Sequence, residues 1–536
     1  MTFLPPPSAY GLPERYDSWR EHQPEAVLSV CDPSSKPVAA IVAPTGFGKT
    51  ITGAAIAKLL GGRCCYTVET KLLMHQIEED MPNVFFKVWG KNNYDCRLLM
   101  ENGFRGWQAR CDKAEALCRS CAYKDNGCDY YDSVRKAGRM ESVLTNYSFW
   151  LAINRHTEEG IGYFDTIIMD EAHSAVDTLT KSMRVELDSR ECEKLLREDL
   201  PAKMPIPEWS DWARKRLPGM QTRLDGLKYA GAVSGGDHRE LREVETIVRK
   251  LEVIARVDDN WVEDRDWKEP GSKTAFEPVW PAPYRHQLFR PAHKIVLMSA
   301  TIRPKTLELL GLQPDEYDFL EYPSSFPVAR RPVIYIPGAN QRKTMNWDEK
   351  MAAIEKIDQI IGRRLDRKGA IHTVSFERAN LIREHSRYAR QMIFTRSGGE
   401  CLAEDLEQFR RAPMGTVLVG PNFDEGVDLA YEQCEYQILM KVPFPDRRSP
   451  VVDARCKSDP EYGNYSAMIK IVQMAGRGMR AADDLCETII IDDAWGNYFL
   501  RNNNRFAPKW FLQACRREQY VPKPPEKLTM GREEVG

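Results

Sequence analysis

The glycine-rich stretch near residue 45 is the feature that most constrains the fold of this chain. A short apolar run, Pro37 to Val42, is typical of a buried parallel strand, and APTGFGKT follows it from Ala43 to Thr50. The apolar stretch ITGAAIAKLL then predicts a helix. Ala43 stands where the strict pattern has glycine, but the core GFGKT between a strand and a helix still predicts a phosphate-binding loop.

The chemistry of such a loop assigns its residues to a nucleoside triphosphate and Mg²⁺. Backbone N–H groups at a helix N-terminus surround the β- and γ-phosphates, a lysine adds a point charge, and a hydroxyl binds the metal. The lysine here is Lys49, and the hydroxyl belongs to Thr50. The residues predicted to contact the nucleotide are Thr45, Gly46, Phe47, Gly48, Lys49 and Thr50.

Apolar runs of strand length recur along the chain and alternate with helical stretches. The 536 residues are enough for roughly two to four domains. The alternation predicts an α/β fold of doubly wound layers and indicates two such layers. The runs are Cys64 to Thr67, Thr166 to Met169, Lys294 to Met298, Ala370 to Val374, Thr416 to Val419, Gln437 to Lys441 and Thr488 to Ile491.

The segment TIIMDEAH, from Thr166 to His173, ends an apolar strand in two adjacent carboxylates. A phosphate-loop enzyme needs one carboxylate for Mg²⁺ and one to polarise the attacking water. Asp170 is predicted to hold the metal through its water shell, and Glu171 to act as the general base. His173 would link this site to neighbouring elements.

Two later segments supply polar groups for a cleft between domains. LMSAT ends a strand with Ser299 and Thr301, whose hydroxyls would form hydrogen bonds across the cleft. QMAGRGMR places Gln473, Arg477 and Arg480 on one helix face, because they lie three or four residues apart. The two arginines are predicted to reach the γ-phosphate from a second domain as arginine fingers.

Five of the 14 cysteines fall within 33 residues, where fewer than one would be expected at the average frequency. They are Cys96, Cys111, Cys118, Cys121 and Cys128. Thiols seldom pair stably in a reducing compartment, so this density predicts a metal or iron–sulfur site before it predicts disulfides. Spacing alone leaves tetrahedral Zn²⁺ open, with Cys118 and Cys121 as a knuckle.

Composition and the N-terminal segment bear on compartment and partners. The chain has 76 Lys plus Arg against 78 Asp plus Glu, and this net charge of -2 excludes a polybasic nucleic-acid binder on bulk charge. Any nucleic-acid surface must therefore be local. No apolar run reaches the roughly 18 residues that suggest a membrane helix, and the N-terminus lacks the features of a secretory signal. We therefore expect a cytoplasmic protein without membrane contact.

Two segments interrupt the α/β alternation. Residues 90–138 carry the five cysteines and too little apolar pattern for a core of their own, so metal ligation would supply part of their folding energy. Residues 176–286 are charged, with apolar residues at helix-face spacing, and are expected to be mainly helical. Residues 521–536 are expected to form a flexible tail.

Four motifs, in their order, resemble those of superfamily 2 helicases: APTGFGKT, DEAH, SAT and QMAGRGMR. Six further segments narrow the resemblance to the iron–sulfur helicases of the XPD and DinG group. These are YTVETKLLMHQ, GKNNYDC, TNYSFWL, IHTVSF, FDEGVDL and KVPFP, and the likeness covers most of residues 20–495. The resemblance implies two RecA-like motor domains with a small iron–sulfur cluster insertion and a mainly helical arch insertion.

The resemblance also implies where each domain begins and ends. The first motor domain would be interrupted twice, by the cluster domain and then by the arch domain. The ranges are residues 1–89, 139–175 and 287–325 for the first motor domain, 90–138 for the cluster domain, 176–286 for the arch domain, 326–520 for the second motor domain and 521–536 for the tail.

A set of cluster ligands is implied in the same way. A [4Fe–4S] cluster would be held by Cys96, Cys118, Cys121 and Cys128, with Cys111 as the alternative to Cys118. The sequence DYY follows Cys128, as it does in members of the group that this chain resembles. Only the resemblance favours iron over zinc, because four thiolates suit both metals.

Further contacts are implied for the nucleotide and for DNA. Gln23 in WREHQPE would reach the adenine, and Gly426 and Asp428 in FDEGVDL would also contact the nucleotide. Single-stranded DNA would be held by small polar groups at strand ends, which suit phosphate contacts that carry no sequence information. The residues predicted for this role are Thr70, Lys71, Asn146, Tyr147, Thr373 and Ser375.

The predicted function is that of an ATP-dependent DNA helicase with ATP, Mg²⁺ and a [4Fe–4S] cluster as cofactors. It would move along single-stranded DNA, 5′ to 3′ by resemblance, and unwind forked DNA in repair or replication, as a monomer with loading or repair partners. One alternative is an ATP-driven translocase or remodeller, on DNA or RNA, that does not separate strands. Another is a phosphate-loop switch protein with a structural zinc module.

Overall fold

The computed structural model describes most of the chain. The described residues are 4–118, 121–156, 160–229, 235–265, 272–338, 341, 345–421, 423, 429, 431–476, 478–479 and 483–526.

The described part of the chain contains 17 strands. In chain order they are β1 Val38–Val42, β2 Cys64–Val68, β3 Phe86–Lys87, β4 Ser142–Asn146, β5 Thr166–Asp170, β6 Val185–Asp188, β7 Trp261–Arg265, β8 Lys273–Pro278, β9 Lys294–Ser299, β10 Tyr317–Glu321, β11 Val333–Tyr335, β12 Gly369–His372, β13 Met392–Phe394, β14 Val417–Gly420, β15 Tyr436–Leu439, β16 Glu487–Ile490 and β17 Cys515–Arg517.

The same residues contain 19 α-helices. They are α1 Gln23–Cys31, α2 Lys49–Leu60, α3 Lys71–Asp80, α4 Arg97–Glu101, α5 Asp129–Ala137, α6 Tyr147–His156, α7 Ala175–Met183, α8 Ser189–Glu191, α9 Ile206–Tyr229, α10 Gly235–Ile254, α11 Arg285–Leu288, α12 Pro304–Leu309, α13 Trp347–Gly362, α14 Phe376–His385, α15 Gly399–Arg411, α16 Pro450–Ser458, α17 Tyr462–Ala475, α18 Leu500–Asn503 and α19 Lys509–Leu512.

The first sheet has seven parallel strands in the order β10-β1-β9-β5-β2-β4-β3. The register sets Val42 beside Ser299 and Asp170 beside Met298. The carboxyl ends of β1, β9 and β5 therefore meet at one edge of the sheet. Ligands of open parallel sheets bind at this edge.

The second sheet also has seven parallel strands, in the order β13-β14-β12-β15-β16-β11-β17. Its inner strand β12 sets His372 between Gly420 and Leu439. The prediction of two parallel α/β layers is confirmed.

Strand β1 shows why such a sheet needs an apolar sequence. Its five residues are all buried, and alternate side chains point to opposite faces. Val38, Ala40 and Val42 join one apolar cluster, whereas Ala39 and Ile41 join another. Both faces of the sheet are therefore covered, as a doubly wound layer requires.

Residues 176–286, called the long insertion below, connect β5 to β9. Helices α9 and α10 pack against each other, as the sequence indicates. The insertion also holds an antiparallel sheet in the order β6-β8-β7, which the sequence analysis did not predict. Trp209, Leu251 and Phe276 belong to an apolar core shared by these helices and strands.

Residues 90–138, called the cysteine insertion below, contain little regular structure. The short helices α4 and α5 and a few single turns make up most of it, together with an isolated bridge between Asp95 and Arg110. Its folding therefore depends little on backbone pairing. Elsewhere in the described chain, as here, no helix combines the length and the apolarity that crossing a membrane requires.

Candidate active site and cysteine pocket

The phosphate loop turns sharply between β1 and α2. Gly46 and Gly48 both have φ of 83°, in the left-handed region that glycine adopts without strain. Gly48 directly precedes α2, whose first two residues are Lys49 and Thr50. The loop therefore lies at the N-terminus of a 12-residue helix, where backbone N–H groups bind phosphate well.

Lys49 faces the end of strand β5. Its ammonium nitrogen lies 3.3 Å from Oε1 of Glu171. Glu171 has a positive φ of 51°, which is uncommon for a residue with a side chain. Such backbone conformations persist where the surrounding structure enforces them, and they cluster at functional sites.

Asp170 is held by two donors. Its Oδ2 accepts a 3.0 Å hydrogen bond from the Tyr66 hydroxyl, and its Oδ1 accepts a 2.9 Å hydrogen bond from the backbone N–H of Glu171. The side chain of Thr50 lies near the same Tyr66 hydroxyl. The Thr50 hydroxyl and the Asp170 carboxylate therefore lie close together, and both are the hard oxygen ligands that Mg²⁺ prefers.

The two carboxylates differ in their electrostatics. Burial, together with the charge of Glu171, raises the pKa of Asp170 to about 6. Burial also acts to raise the pKa of Glu171, but Lys49 and His173 outweigh it and lower that pKa. Glu171 is therefore the firmly ionised member of the pair and can orient water, but its lowered pKa makes it a weak proton acceptor while Lys49 holds it.

His173 connects neighbouring strands at this edge. Its Nδ1 lies 2.8 Å from Oγ of Ser299 and 3.2 Å from Oε2 of Glu171. The histidine thus joins the end of β5 to the end of β9, as the sequence analysis expects.

The expected hydrogen bonds of Ser299 and Thr301 across the domain cleft are wrong. Both residues are buried, and their hydroxyl oxygens lie 3.3 Å apart within the first layer. Beside them, the indole N–H of Trp510 from the second layer donates to the carbonyl of Ala300 at 3.3 Å.

Gln23 lies directly against the phosphate loop. Its amide nitrogen donates to the carbonyls of Phe47 and Gly48, at 2.8 Å and 3.2 Å. Its amide oxygen accepts a 2.8 Å hydrogen bond from the backbone N–H of Arg20. Gln23 is therefore a support of the loop, and its predicted adenine contact stays a prediction.

Helix α17 reaches the phosphate loop from the second layer. It carries the half-buried Gln473, and the carbonyl of Gly476 accepts a 3.5 Å hydrogen bond from Oγ1 of Thr45. The helix therefore approaches the nucleotide site from the side on which arginine fingers are predicted. Arg477, Arg480, Gly426 and Asp428 lie outside the described residues.

The five cysteines of the cysteine insertion share one pocket. All have free thiols and line a small cavity together with Tyr130 and Tyr131. A hydrogen bond from Cys111 lowers the pKa of Cys96 to about 6, which favours the thiolate that binds metals. The thiols fit a soft metal by chemistry. However, within the described residues no three metal-binding side chains form a ready-made ion site.

The predicted DNA-contact residues of the first layer fall into two groups. Thr70 and Lys71 are exposed at the start of α3, where the Thr70 hydroxyl caps the helix and Lys71 donates to Asn93 at 2.6 Å. Asn146 and Tyr147 are buried. Asn146 accepts from the backbone of α6, and the Tyr147 hydroxyl donates to the carbonyl of Asp170 at 2.9 Å.

The second layer shows the same division. Ser375 is half-buried and caps helix α14, whereas Thr373 is fully buried and donates to the carbonyl of Ser375 at 3.0 Å. Val374 between them has a positive φ of 65°, a strained conformation for a β-branched residue. The side chains of Asn146, Tyr147 and Thr373 make hydrogen bonds within the protein, and their predicted DNA contacts stay predictions.

Three residues at the nucleotide site were not assigned roles from the sequence. Tyr66 holds Asp170, the guanidinium of Arg20 donates to the carbonyl of Gly46 at 2.5 Å, and the ring of Phe326 packs so closely on Gly46 that a side chain there would overlap it. Of these three, only Arg20 could have been suggested by the sequence, because it lies in the same segment WREHQPE as Gln23.

Two protein families match parts of the chain. Residues 370–513 match the helicase C-terminal domain, and residues 17–196 match the type III restriction enzyme res subunit. The first match contains QMAGRGMR, and the second contains APTGFGKT and DEAH, whereas LMSAT lies outside both. No curated protein sequence matches the chain significantly.

Solved structures of XPD helicases share the fold. An XPD helicase is 15% identical with a TM-score of 0.61, and the match covers 94% of this chain and all of that one. An apo XPD and the Xpd4 protein of S. tokodaii are 14% and 13% identical, each with a TM-score of 0.56 and coverage of 93% of this chain. Both are also covered completely. The chain therefore carries a match to the helicase C-terminal domain in its second layer, and it shares the fold of solved XPD helicases.

Proposed function

We propose that the protein is an ATP-driven DNA helicase that moves along single-stranded DNA and separates the strands of a duplex. The observation that supports this most is the approach of Lys49 to within 3.3 Å of Glu171, beside Asp170, at the carboxyl edge of a parallel sheet. These are the charges that hydrolysis of a phosphoanhydride by an activated water requires.

The pairing of Lys49 with Glu171 suggests how the site responds to ATP. A γ-phosphate would compete with Glu171 for the lysine, because both are anions within reach of one ammonium group. Once released, Glu171 would orient the attacking water and accept its proton, while His173 would hold the carboxylate in place. Hydrolysis is thereby coupled to correct binding of the phosphates.

Mg²⁺ bound near Thr50 and Asp170 would neutralise charge on the phosphate oxygens as the bond breaks. The task of the chain is to orient these two ligands, and the Tyr66 hydroxyl would do so from between them. From the second domain, Gln473, Arg477 and Arg480 would complete the site, and Gly426 and Asp428 would add nucleotide contacts. Gln23 would link adenine binding to the conformation of the phosphate loop, which it supports.

Alternating grip on the strand would convert this cycle into movement. Thr70, Lys71 and Ser375 are the accessible candidates for phosphate contacts, because their backbones and side chains lie at helix N-termini. Asn146, Tyr147 and Thr373 would position those elements from beneath. We propose movement in the 5′ to 3′ direction, as the resemblance implies, and forked DNA in repair or replication as the substrate.

For the cysteine insertion we propose a [4Fe–4S] cluster. The shared pocket supports this, because it gathers five soft ligands where four are needed. Cys96, Cys118, Cys121 and Cys128 are the proposed ligands, with Cys111 as the alternative to Cys118. Serine substitution of each cysteine in turn, with iron and sulfide measured after anaerobic purification, identifies the spare thiol as the position where iron is retained.

The domain ranges given above, a monomeric state, a cytoplasmic location and loading or repair partners belong to the same proposal. The test is strand displacement by the purified chain on DNA and RNA forks with a single-stranded tail of one polarity. We expect ATP-dependent displacement of 5′-tailed DNA forks and none by Lys49→Ala. ATP hydrolysis stimulated by DNA without displacement would favour a translocase, and hydrolysis without stimulation in a colourless zinc protein would favour a switch protein.

A further inference from the structure

A buried arginine from the second layer holds the root of the long insertion. Arg455 lies on α16, in the connection between β15 and β16, and its side chain is 3% exposed. It donates to Oδ1 of Asp177 at 2.7 Å and to Oγ1 of Thr180 at 3.0 Å. Both acceptors lie on α7, where the chain leaves the first layer for the long insertion.

The same guanidinium holds the point where the chain returns. Its Nε donates to the carbonyl of Val279 at 2.7 Å, directly after strand β8 of the long insertion. Its fourth hydrogen-bond acceptor among the described residues is the hydroxyl of Tyr462, at 2.9 Å. One side chain therefore joins the outgoing segment, the returning segment and the second layer.

Neighbouring residues extend this joint. The indole N–H of Trp280 donates to Oγ of Ser458 at 3.2 Å, and its ring meets the ring of Tyr462 edge to face. Lys305 of the first layer lies 2.8 Å from Asp459 just after α16. Helix α16 also packs against β7 in the body of the long insertion. The insertion thus rests on an element of the second layer although it is threaded into the first.

The far side of the long insertion touches the cysteine insertion. Arg242 on α10 donates to the carbonyl of Lys113 at 2.8 Å. Helix α10 has 20 residues and therefore spans about 30 Å. A small rotation at the Arg455 joint would become a larger displacement at this distant contact.

We propose that Arg455 is a positioning residue that transmits movement of the second motor domain to the long insertion. Closure of the nucleotide cleft would pull on α7 and on the segment after β8 through one guanidinium, and the insertion would shift relative to the first domain. The contact of Arg242 with the cysteine insertion would change in the same step. This inference rests on the proposed function, because it needs a cleft that closes on ATP.

The test measures distances in the full-length protein by energy transfer between labels at unnatural amino acids. Thr246 on α10 marks the long insertion, Leu59 on α2 the first domain and Glu355 on α13 the second, and all three side chains are exposed. With Mg²⁺ and a non-hydrolysable ATP analogue, we expect changed transfer for the pair 59–355 and for the pair 59–246. In Arg455→Met, the change for 59–246 should be lost while that for 59–355 remains.

A second readout separates coupling from mere stability. Arg455→Met should retain DNA-stimulated ATP hydrolysis but displace about tenfold fewer strands per ATP, a loss typical of a broken coupling between sites. Lys457→Met is the matched control, since Lys457 lies on the same helix, is 71% exposed and pairs only locally with Asp453 in the described contacts. If Arg455→Met does not fold, Asp177→Asn combined with Thr180→Val removes the partners from the other side.

Two outcomes would overturn the inference while leaving the proposed function intact. One is an unchanged nucleotide response of the pair 59–246 in Arg455→Met and in the double variant. The other is a wild-type protein in which 59–355 responds and 59–246 does not. If neither pair responds in the wild type, ATP-driven closure itself is refuted, and the coupling is refuted with it.

Discussion

The nucleotide site and the cysteine pocket hold their functional groups in opposite ways. At the nucleotide site, the groups stand at the carboxyl ends of three adjacent parallel strands, and protein partners already fix them, as Lys49 fixes Glu171 and Tyr66 fixes Asp170. In the pocket, cysteines on turns and short helices face a common cavity without a sheet beneath them.

The two sites differ in which interactions fix the positions of their functional groups. At the nucleotide site, packing of the buried sheet fixes the functional groups before any ligand binds. Electrostatic catalysis requires such preorganised groups. The cysteine insertion lacks such a frame, so ligand binding would contribute to its folding. A single substitution should therefore lower catalytic activity at the nucleotide site and disrupt local folding at the cysteine pocket.

The largest effect expected is that of Lys49→Ala on ATP hydrolysis. Loss of the only loop side chain that brings a positive charge to the phosphates should lower turnover by about 10³-fold or more. Stability should change little, because the partner Glu171 is partly exposed and His173 still contacts it. Turnover and thermal unfolding are measured together.

The control for this change is Lys58→Ala, on the same helix, where the lysine pairs with Glu141 at 3.8 Å. It should leave turnover unchanged. Hydrolysis by Lys49→Ala at the wild-type rate would remove the phosphate loop from the mechanism.

Glu171→Gln should give the next largest effect. The amide keeps the size of the carboxylate but cannot accept a proton, so turnover should fall by about 10² to 10³-fold. ATP binding should persist or become tighter, because the amide no longer competes with the phosphates for Lys49. Equilibrium binding of ATP and single-turnover hydrolysis separate the two effects, and unchanged hydrolysis would exclude Glu171 as the base.

Cys128→Ser tests the other half of the comparison. Iron should fall from about four atoms per chain to near zero, and residues 90–138 should become sensitive to protease while the two sheets stay folded. Strand displacement should fall roughly tenfold, with DNA-stimulated hydrolysis largely retained. Cys401→Ser, a half-buried thiol on α15, is the control. Retained iron with an unchanged digestion pattern would contradict a ligand role for Cys128.

The sequence predicts central strands well and edge strands poorly. Every strand predicted from an apolar run is present, because a parallel strand buried on both faces must be apolar throughout. The four edge strands of the two parallel sheets, β10, β3, β13 and β17, were not predicted, and neither were the short interior strands β4 and β11. An edge strand is half open to solvent, so charged residues such as Asp318 and Glu321 in β10 are tolerated there.

The site was predictable where residues are adjacent in the sequence and not where strands bring them together. Local motifs were enough to predict Lys49, Asp170 and Glu171 as site residues. Tyr66 lies 104 residues from Asp170, and the two meet only because β2 and β5 are neighbours in the sheet. The burial of Tyr147 beneath the same carboxylate also depends on strand order, which no local pattern contains.

Tyr66→Phe should have the smallest effect on turnover of these substitutions. It tests most directly whether hydrogen bonds within the protein organise the nucleotide site. Loss of the hydrogen bond to Asp170 should raise the activation free energy of hydrolysis by about 1 kcal/mol, which is equivalent to roughly a fivefold loss of turnover. The loss should be larger at low Mg²⁺ concentration, because the hydroxyl holds Asp170 and lies near Thr50, the two proposed metal ligands. A magnesium titration of hydrolysis measures this, with Tyr163→Phe as control, since the Tyr163 side chain is 50% exposed. If the nucleotide site is organised by its own hydrogen bonds, the fold loss must depend on Mg²⁺; a loss that is equal at all Mg²⁺ concentrations would mean that Tyr66 contributes only packing beneath the loop.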